Sequence, residues 1–312
     1  MKVTLQKNSV TAEADFYKRV PGKWILAGEH TVLRGGNGLV FPLFSQYLEI
    51  SYFKTPDDFE IELQGANSEN IKKIVDSVFD DCFSKLNVDR NKIKGLALLR
   101  SNILFGAGMG ASATLCVAVT EFFHYLGFIK AESMYDFARE LENIFHGESS
   151  GLDVAVVLKK KPLLFSRANG SVELEKTKLP LLYLSHTGCQ GITKDCIDRV
   201  KALLASDPTG GQAIDDKMKK SVAQFASLLT EPNSLTAVVL EKWAETLKLA
   251  HSCFYDWGLV NDTVKAHEKL VLDSGALAVK LTGSGAGGFM LSLWDKEPKN
   301  LSFPIIPCAE IK

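Results

Sequence analysis

The sequence predicts a two-lobed protein of the α+β class, and three observations carry that expectation. Its 312 residues exceed one ordinary domain. Short strand-like runs and amphipathic helical stripes are interleaved along it without a regular β-α-β alternation. Two glycine-rich segments, at residues 106–110 and 283–288, each follow a strand pattern. The mixed element order by itself also admits an α/β class. A polar stretch at 167–178, with Asn169-Gly170 as a turn signal, divides a domain at 1–178 from one at 179–312.

In chain order, strands are expected at 11–19, 24–27, 39–43 and 47–53, punctuated by Gly35-Gly36 and Gly38. Residues 67–86 carry Ile71, Ile74, Val75, Val78, Phe79, Cys82 and Phe83 at helical spacing, with Ser68 as an N-cap. A strand at 93–99 precedes the first glycine-rich segment, and helices follow at 112–126 and 132–145. Lys159-Lys160-Lys161 reads as a solvated strand end, with a phosphate contact as the alternative. In the second half, a strand at 181–185 is followed by helices at 193–204, 213–229, 235–253 and 262–273. Strands at 276–281 and 288–293 bracket the second glycine-rich segment. Trp243, Leu247 and Leu240 share a helical face and read as core.

Composition narrows the function classes. Apolar residues make up 46% and charged residues 23%, which is ordinary for a globular chain. Lys plus Arg is 36 against 37 Asp plus Glu, a net charge of −1 that speaks against nucleic acid or an anionic membrane as partner. The first twenty residues mix Lys7, Glu13, Asp15 and Lys18 among apolar positions, so no secretory leader is expected. No run reaches the ~18 apolar residues of a membrane span. The six dispersed cysteines, without a C-x-x-C pair, read as reduced thiols and favour the cytoplasm. His124, His186, His251 and His267 lack metal-ligand spacing. The oligomeric state is left open, a homodimer included.

Four segments carry chemistry. Gly106-Ala107-Gly108-Met109-Gly110-Ala111-Ser112 alternates glycine with small residues ahead of a helix. It reads either as a tight turn or as an anion site of backbone N–H groups at a helix terminus. It is neither a Walker A loop nor a dinucleotide fingerprint. Thr282-Gly283-Ser284-Gly285-Ala286-Gly287-Gly288 holds more glycine than a hairpin needs, which implies close approach to another loop or to phosphate. Residues 20–30 cluster Lys23, Glu29 and His30 around apolar strand positions; a lysine's ordinary place is the solvated surface. Residues 142–153 end a helix in a Gly- and Ser-rich turn before Asp153, which could equally serve as a turn or cap residue.

Together and in this order, the four segments resemble the GHMP kinases. Residues 21–30 are similar to P-G-K-x-I-L-x-G-E-H, residues 106–114 to the loop G-x-G-L-G-S-S-A, residues 146–153 to H-G-x-x-S-G-x-D, and residues 280–288 to K-L-T-G-x-G-x-G-G. The Glu29-His30 and His146-Gly147 pairs are most similar to the mevalonate-phosphorylating members. The resemblance implies an N-terminal nucleotide-binding and catalytic lobe of ribosomal-protein-S5-like build, a ferredoxin-like C-terminal lobe and an active site in the cleft between them. It implies transfer of a phosphoryl group from ATP, with Mg²⁺, to a small hydroxy acid such as mevalonate. Asp153 would take or orient the acceptor proton and Lys23 would neutralise charge. Gly106, Ala107, Gly108, Met109, Gly110, Ala111 and Ser112 would hold the nucleotide, with Ser112 and Glu142 on the metal. Lys23, Glu29, His30, Asp153, Thr193, Gly283 and Ser284 would meet the acceptor.

Three departures stand out. Ala111 replaces the first serine of the loop, Ile103-Leu104-Phe105 is bulkier than the usual approach to it, and Glu148-Ser149 replaces the usual Asn-Pro. Within the enzyme class the rival is a phosphomevalonate kinase, which would usually carry Tyr in place of His30. Outside it, the rival is a catalytically silent ligand-binding homologue, against which the joint presence of Lys23, Ser112, Glu142 and Asp153 argues.

Overall fold

The computed structural model describes residues 4–7, 10–64, 68–146, 149–175, 179–230 and 236–309. In chain order the elements are β1 (Thr4–Lys7), β2 (Val10–Glu13), β3 (Phe16–Ala27), β4 (Asn37–Asp58), β5 (Glu60–Gln64), α1 (Ser68–Leu86), β6 (Lys94–Ser101), α2 (Ala111–Tyr125), α3 (Met134–His146) and α4 (Leu152–Lys159). There follow β7 (Leu163–Ser166), β8 (Gly170–Glu173), β9 (Leu181–His186), α5 (Thr193–Ser206), α6 (Pro208–Thr230), α7 (Ala237–Asp256), α8 (Asp262–Asp273), β10 (Ala278–Thr282), β11 (Phe289–Trp294) and β12 (Ile306–Pro307). The fold is α+β. Its two compact units are discontinuous in sequence: one comprises Met1–Gly22, Gln46–Ile103 and Ala111–Leu158, the other Lys23–Ser45, Leu104–Gly110 and Lys159–Lys312.

The first unit is a sheet covered by helices. Leu48–Phe53 of β4 pairs antiparallel with β6, and β6 pairs parallel with β5. The register shifts between Phe53 and Asp58, where Pro56 removes a ladder donor. Gly95 lies opposite this irregularity at φ 115°, where a Cβ would come within 2.2 Å of the Phe53 carbonyl. Helix α2 is apolar on nearly every side and correspondingly buried from Ala113 to Phe123. It meets α1 and the residue just before β5 through an aromatic cluster of Phe59, Phe79, Phe83, Phe122 and Phe123, in which Phe59 and Phe122 stack with centroids 5.9 Å apart.

In the second unit an antiparallel sheet runs in the order β10-β11-β9-β12. Every residue of β10 and β11 is buried, as their near-continuous apolar sequences require. Helices α6 and α7 pack on each other through Phe225 and Trp243, whose ring centroids are 5.2 Å apart. A second ladder joins Asn37–Val40 of β4 to β7 and β7 to β8. Its turn at Asn169-Gly170 is the one the dipeptide signals.

Three expectations differ from the structure. The strand at 11–19 is broken at Ala14-Asp15, so that β2 and β3 are separate. The short strands at 24–27, 39–43 and 47–53 are parts of the long β3 and β4, because Gly38 and Pro42 sit inside a strand without ending it. The lysine run ends a helix rather than a strand. The apolar residues 154–158 form α4, whose first helical bond runs from the Ala155 N–H to the Gly151 carbonyl, and Lys160 leaves it at φ 57°. A short apolar run has no periodicity that separates strand from helix.

Phe122 is fully buried in the aromatic cluster. Truncation by Phe122→Ala is expected to lower unfolding free energy by about 3–5 kcal/mol, read as a shift in the urea midpoint. A midpoint within error of the parent's would show that the cluster does not hold this unit together.

Candidate active site

The second unit gathers the two glycine loops. Gly106, Gly108 and Gly110 have φ of 74°, 86° and 76°, the left-handed region that a side chain disfavours. The loops meet backbone on backbone. A Cβ on Gly108 would stand 3.0 Å from the Thr282 carbonyl oxygen, one on Gly283 would stand 3.2 Å from the Gly108 Cα, and one on Gly288 2.6 Å from the Ala107 carbonyl oxygen. Of the two occupants the sequence allows for such space, Gly283 and Gly288 meet the other loop, while Gly285 faces Leu259 and Phe254 and Gly287 faces Cys189. Thr282 fastens the loop to β3: Ile25 N–H donates to its hydroxyl at 2.9 Å, and the hydroxyl donates to the Ile25 carbonyl at 3.0 Å.

Lys23 is 3% exposed, so it does not occupy a lysine's usual surface place. Its N–H donates to the Met109 carbonyl at 3.0 Å, and a Cβ on Gly110 would stand 2.6 Å from its Cγ. Strand β3 thus lays a buried ammonium stem along the glycine loop. Glu29, just beyond β3, pairs with the wholly buried Lys280 on β10. The ammonium also donates to the Leu281 carbonyl at 2.6 Å and stands 5.1 Å from the centre of the Phe254 ring. Burial pushes the Glu29 carboxyl up and the Lys280 ammonium down from their ordinary values, each opposed by the other's charge. The second carboxylate oxygen, Oε2, is buried with no hydrogen-bond partner among the described residues.

His30 sits at φ 60°, and its Nε2 donates to the Ser284 carbonyl at 2.8 Å, which places the proton on that nitrogen. Burial pushes its pKa down to about 4, so the ring is neutral near pH 7. The hydroxyls of Ser284 and Thr193, the first residue of α5, lie 3.3 Å apart. His30, Thr193, Gly283 and Ser284 are therefore brought to one loop. Nearby, Arg34 grips Asp215 of α6 through two bonds of 2.6 Å.

The remaining sequence-derived residues belong to the first unit. Ser112 is in the first turn of α2, Glu142 is buried in α3, and Asp153 is in the first turn of α4. Glu142 accepts a hydrogen bond from the Ser149 hydroxyl. His146 ends α3, while Gly147 and Glu148 lie outside the described residues. Sequence reasoning missed three contributors. Lys280 had a signal, since it is the one charged residue in an otherwise apolar strand. Ser149 and Asp215 had none, because their partners are set by tertiary packing.

Residues 70–161 match the family model described as GHMP kinases N terminal domain. The chain is 24% identical to the mevalonate kinase of Aeropyrum pernix and 25% identical to that of Pyrococcus horikoshii, in each case over 88% of this chain and 87% of the relative. A crystal structure of L. major mevalonate kinase in complex with R-mevalonate superposes with a TM-score of 0.75, at 19% identity and over 94% of both chains.

Two outcomes follow from the buried charges. Lys280→Met strands the Glu29 carboxylate and should cost about 3–5 kcal/mol of stability, whereas Lys280→Met combined with Glu29→Gln should cost less. Equal losses in the single and double variants, by urea titration, would remove the coupling. For His30, the folded pKa is below the unfolded one, so the unfolded state binds more protons as pH falls from about 6.5 toward 4. Stability should fall by up to roughly 1.4 kcal/mol per pH unit across that window from this group. A parent curve no steeper than that of His30→Gln would contradict it.

Proposed function

We propose that this chain, whose residues 70–161 match the GHMP kinase N-terminal model, is a GHMP kinase that transfers the terminal phosphoryl group of ATP to the 5-hydroxyl of mevalonate, giving 5-phosphomevalonate and ADP. The observation that carries the reading is the glycine loop 106–110, locked against the second loop with the buried Lys23 stem along it. A rigid, amide-rich turn beside an ammonium suits a polyphosphate. The acceptor is chosen by likeness to relatives named mevalonate kinase.

The donor set fits Mg²⁺. That ion keeps several waters and takes one or two protein ligands, and Ser112 with Glu142 supplies a hydroxyl and a buried carboxylate. Among the described residues no cluster of three or more His, Cys, Asp or Glu offers a larger metal site. When bound, the ion neutralises phosphate charge. In this reading Gly106 to Ser112 hold the nucleotide and Lys23 offsets charge on the transferring group. His30, Thr193, Gly283 and Ser284 form the acceptor's polar wall, with the unpartnered Oε2 of Glu29 accepting from a substrate hydroxyl. Asp153 takes or orients the attacking hydroxyl's proton. The new bond forms from the acceptor oxygen to the γ-phosphorus as the β,γ-bridging bond breaks.

No helix among the described residues is long and apolar enough to cross a membrane, and all six cysteines are free thiols. The free thiols suit our proposal of a cytoplasmic enzyme acting on a small molecule.

ADP release measured in parallel with mevalonate, phosphomevalonate, homoserine and galactose tests the acceptor. Mevalonate should give the highest kcat/KM. Preference for phosphomevalonate would hand the chain to that rival, and ADP release with none of the four would favour a silent ligand-binding homologue. Asp153→Asn should lower kcat ~10²-fold or more while ATP still binds. Near-parental turnover in that variant would remove Asp153 from the chemistry.

A further inference from the structure

Ser149 occupies the turn between α3 and α4, where the resemblance leads one to expect proline. It is 3% exposed, and its polar groups are committed on both sides. The hydroxyl donates to Oε2 of Glu142 and accepts from the Gly151 N–H at 3.0 Å. The Ser149 N–H donates to Oδ1 of Asn143 at 2.7 Å. Gly151, at φ 80°, completes the link. Its carbonyl accepts from the Ala155 N–H at 2.9 Å, which starts α4, and from the Tyr135 hydroxyl at 3.4 Å. A Cβ on Gly151 would lie 2.2 Å from that tyrosine oxygen, so the turn has no room to shift toward α3.

A serine hydroxyl has a single proton. A serine whose task was only to receive the Gly151 N–H could give that proton to water. Here the proton goes to a buried carboxylate, in a charge-assisted bond that fixes the rotation of both groups. Proline has no such proton to give.

We infer that Ser149 is a positioning residue: it sets the orientation of the Glu142 carboxylate and couples it to the turn that launches α4, so that the affinity for Mg²⁺ and the placement of Asp153 are adjusted together. The inference rests on the reading of Glu142 as a magnesium ligand. Groups that orient metal-binding carboxylates commonly change metal affinity by ~10–100-fold when removed.

The test titrates MgCl₂ into the full-length protein with a non-hydrolysable ATP analogue and follows binding by calorimetry, with a melting curve for each variant. Ser149→Ala should raise the Mg²⁺ concentration for half-saturation ~10-fold or more. Ser149→Thr, which keeps the hydroxyl, should recover most of the loss. In a Glu142→Ala background the further change Ser149→Ala should leave Mg²⁺ dependence where it was, because its route is gone. Should that background fail to fold, the contrast between Ser149→Ala and Ser149→Thr decides. Parental Mg²⁺ dependence in Ser149→Ala, or equal losses in the alanine and threonine variants, overturns the positioning role alone. A parent protein that binds the nucleotide equally with and without Mg²⁺ overturns the kinase reading as well.

Discussion

The site in the second unit depends on the absence of side chains where two loops touch. Gly108, Gly283 and Gly288 let the 106–110 turn and the 283–288 turn approach through main-chain atoms, at distances that a Cβ would invade. Three further features follow from that approach. Lys23 can run beside Gly110, Thr282 can bond to both the N–H and the carbonyl of Ile25, and the Ser284 carbonyl can reach His30. A glycine loop is entropically costly to order by itself. Packing it against a second loop between two buried strands gives it a single shape, and a pre-shaped set of backbone dipoles is what charge stabilisation requires.

The buried charges show a second constraint. Glu29 and Lys280 are both out of water, and neither could remain charged there without the other. Such a pair contributes little net stability compared with an apolar replacement, so its presence in the middle of an apolar sheet calls for another account. The proposed function supplies one: Glu29 gives one oxygen to the lysine and leaves Oε2, which has no hydrogen-bond partner among the described residues, for a substrate hydroxyl. His30 follows the same logic in neutral form. With its proton fixed on Nε2 by Ser284, the imidazole can offer a shaped surface without adding a further buried charge.

Much of this was legible in the sequence, and the limits have physical causes. Periodicity located α1, α3 and the four long helices of the second half because each exposes one face to water. It failed at α4, where the run 154–158 is buried on all sides and carries no period. Long strands were cut short because glycine and proline normally punctuate, yet Gly38 and Pro42 lie within β4. For the site, the glycine spacing announced close approach, but not which backbone would fill the space. Lys23 looked like any surface lysine until the strand turned it inward. Ser149 and Asp215 were invisible because a hydrogen bond between residues 7 positions apart, or an ion pair 181 apart, leaves no local mark.

The role proposed for Asp153 need not compete with a structural one. An acidic residue in the first turn of a helix is favourable on its own account, since it faces unsatisfied N–H groups and the positive end of the helix dipole. That placement favours the helix whatever else the residue does. The same placement also gives a base or an orienting carboxylate what it needs: a rigid backbone, here anchored by Gly151 and Ser149, and a side chain on the helix rather than on a mobile loop. Lys23 and Lys280 likewise project from strands and Glu142 from a helix. Each of these charges is thus carried on a strand or a helix, where the backbone ladder fixes the starting point of the side chain.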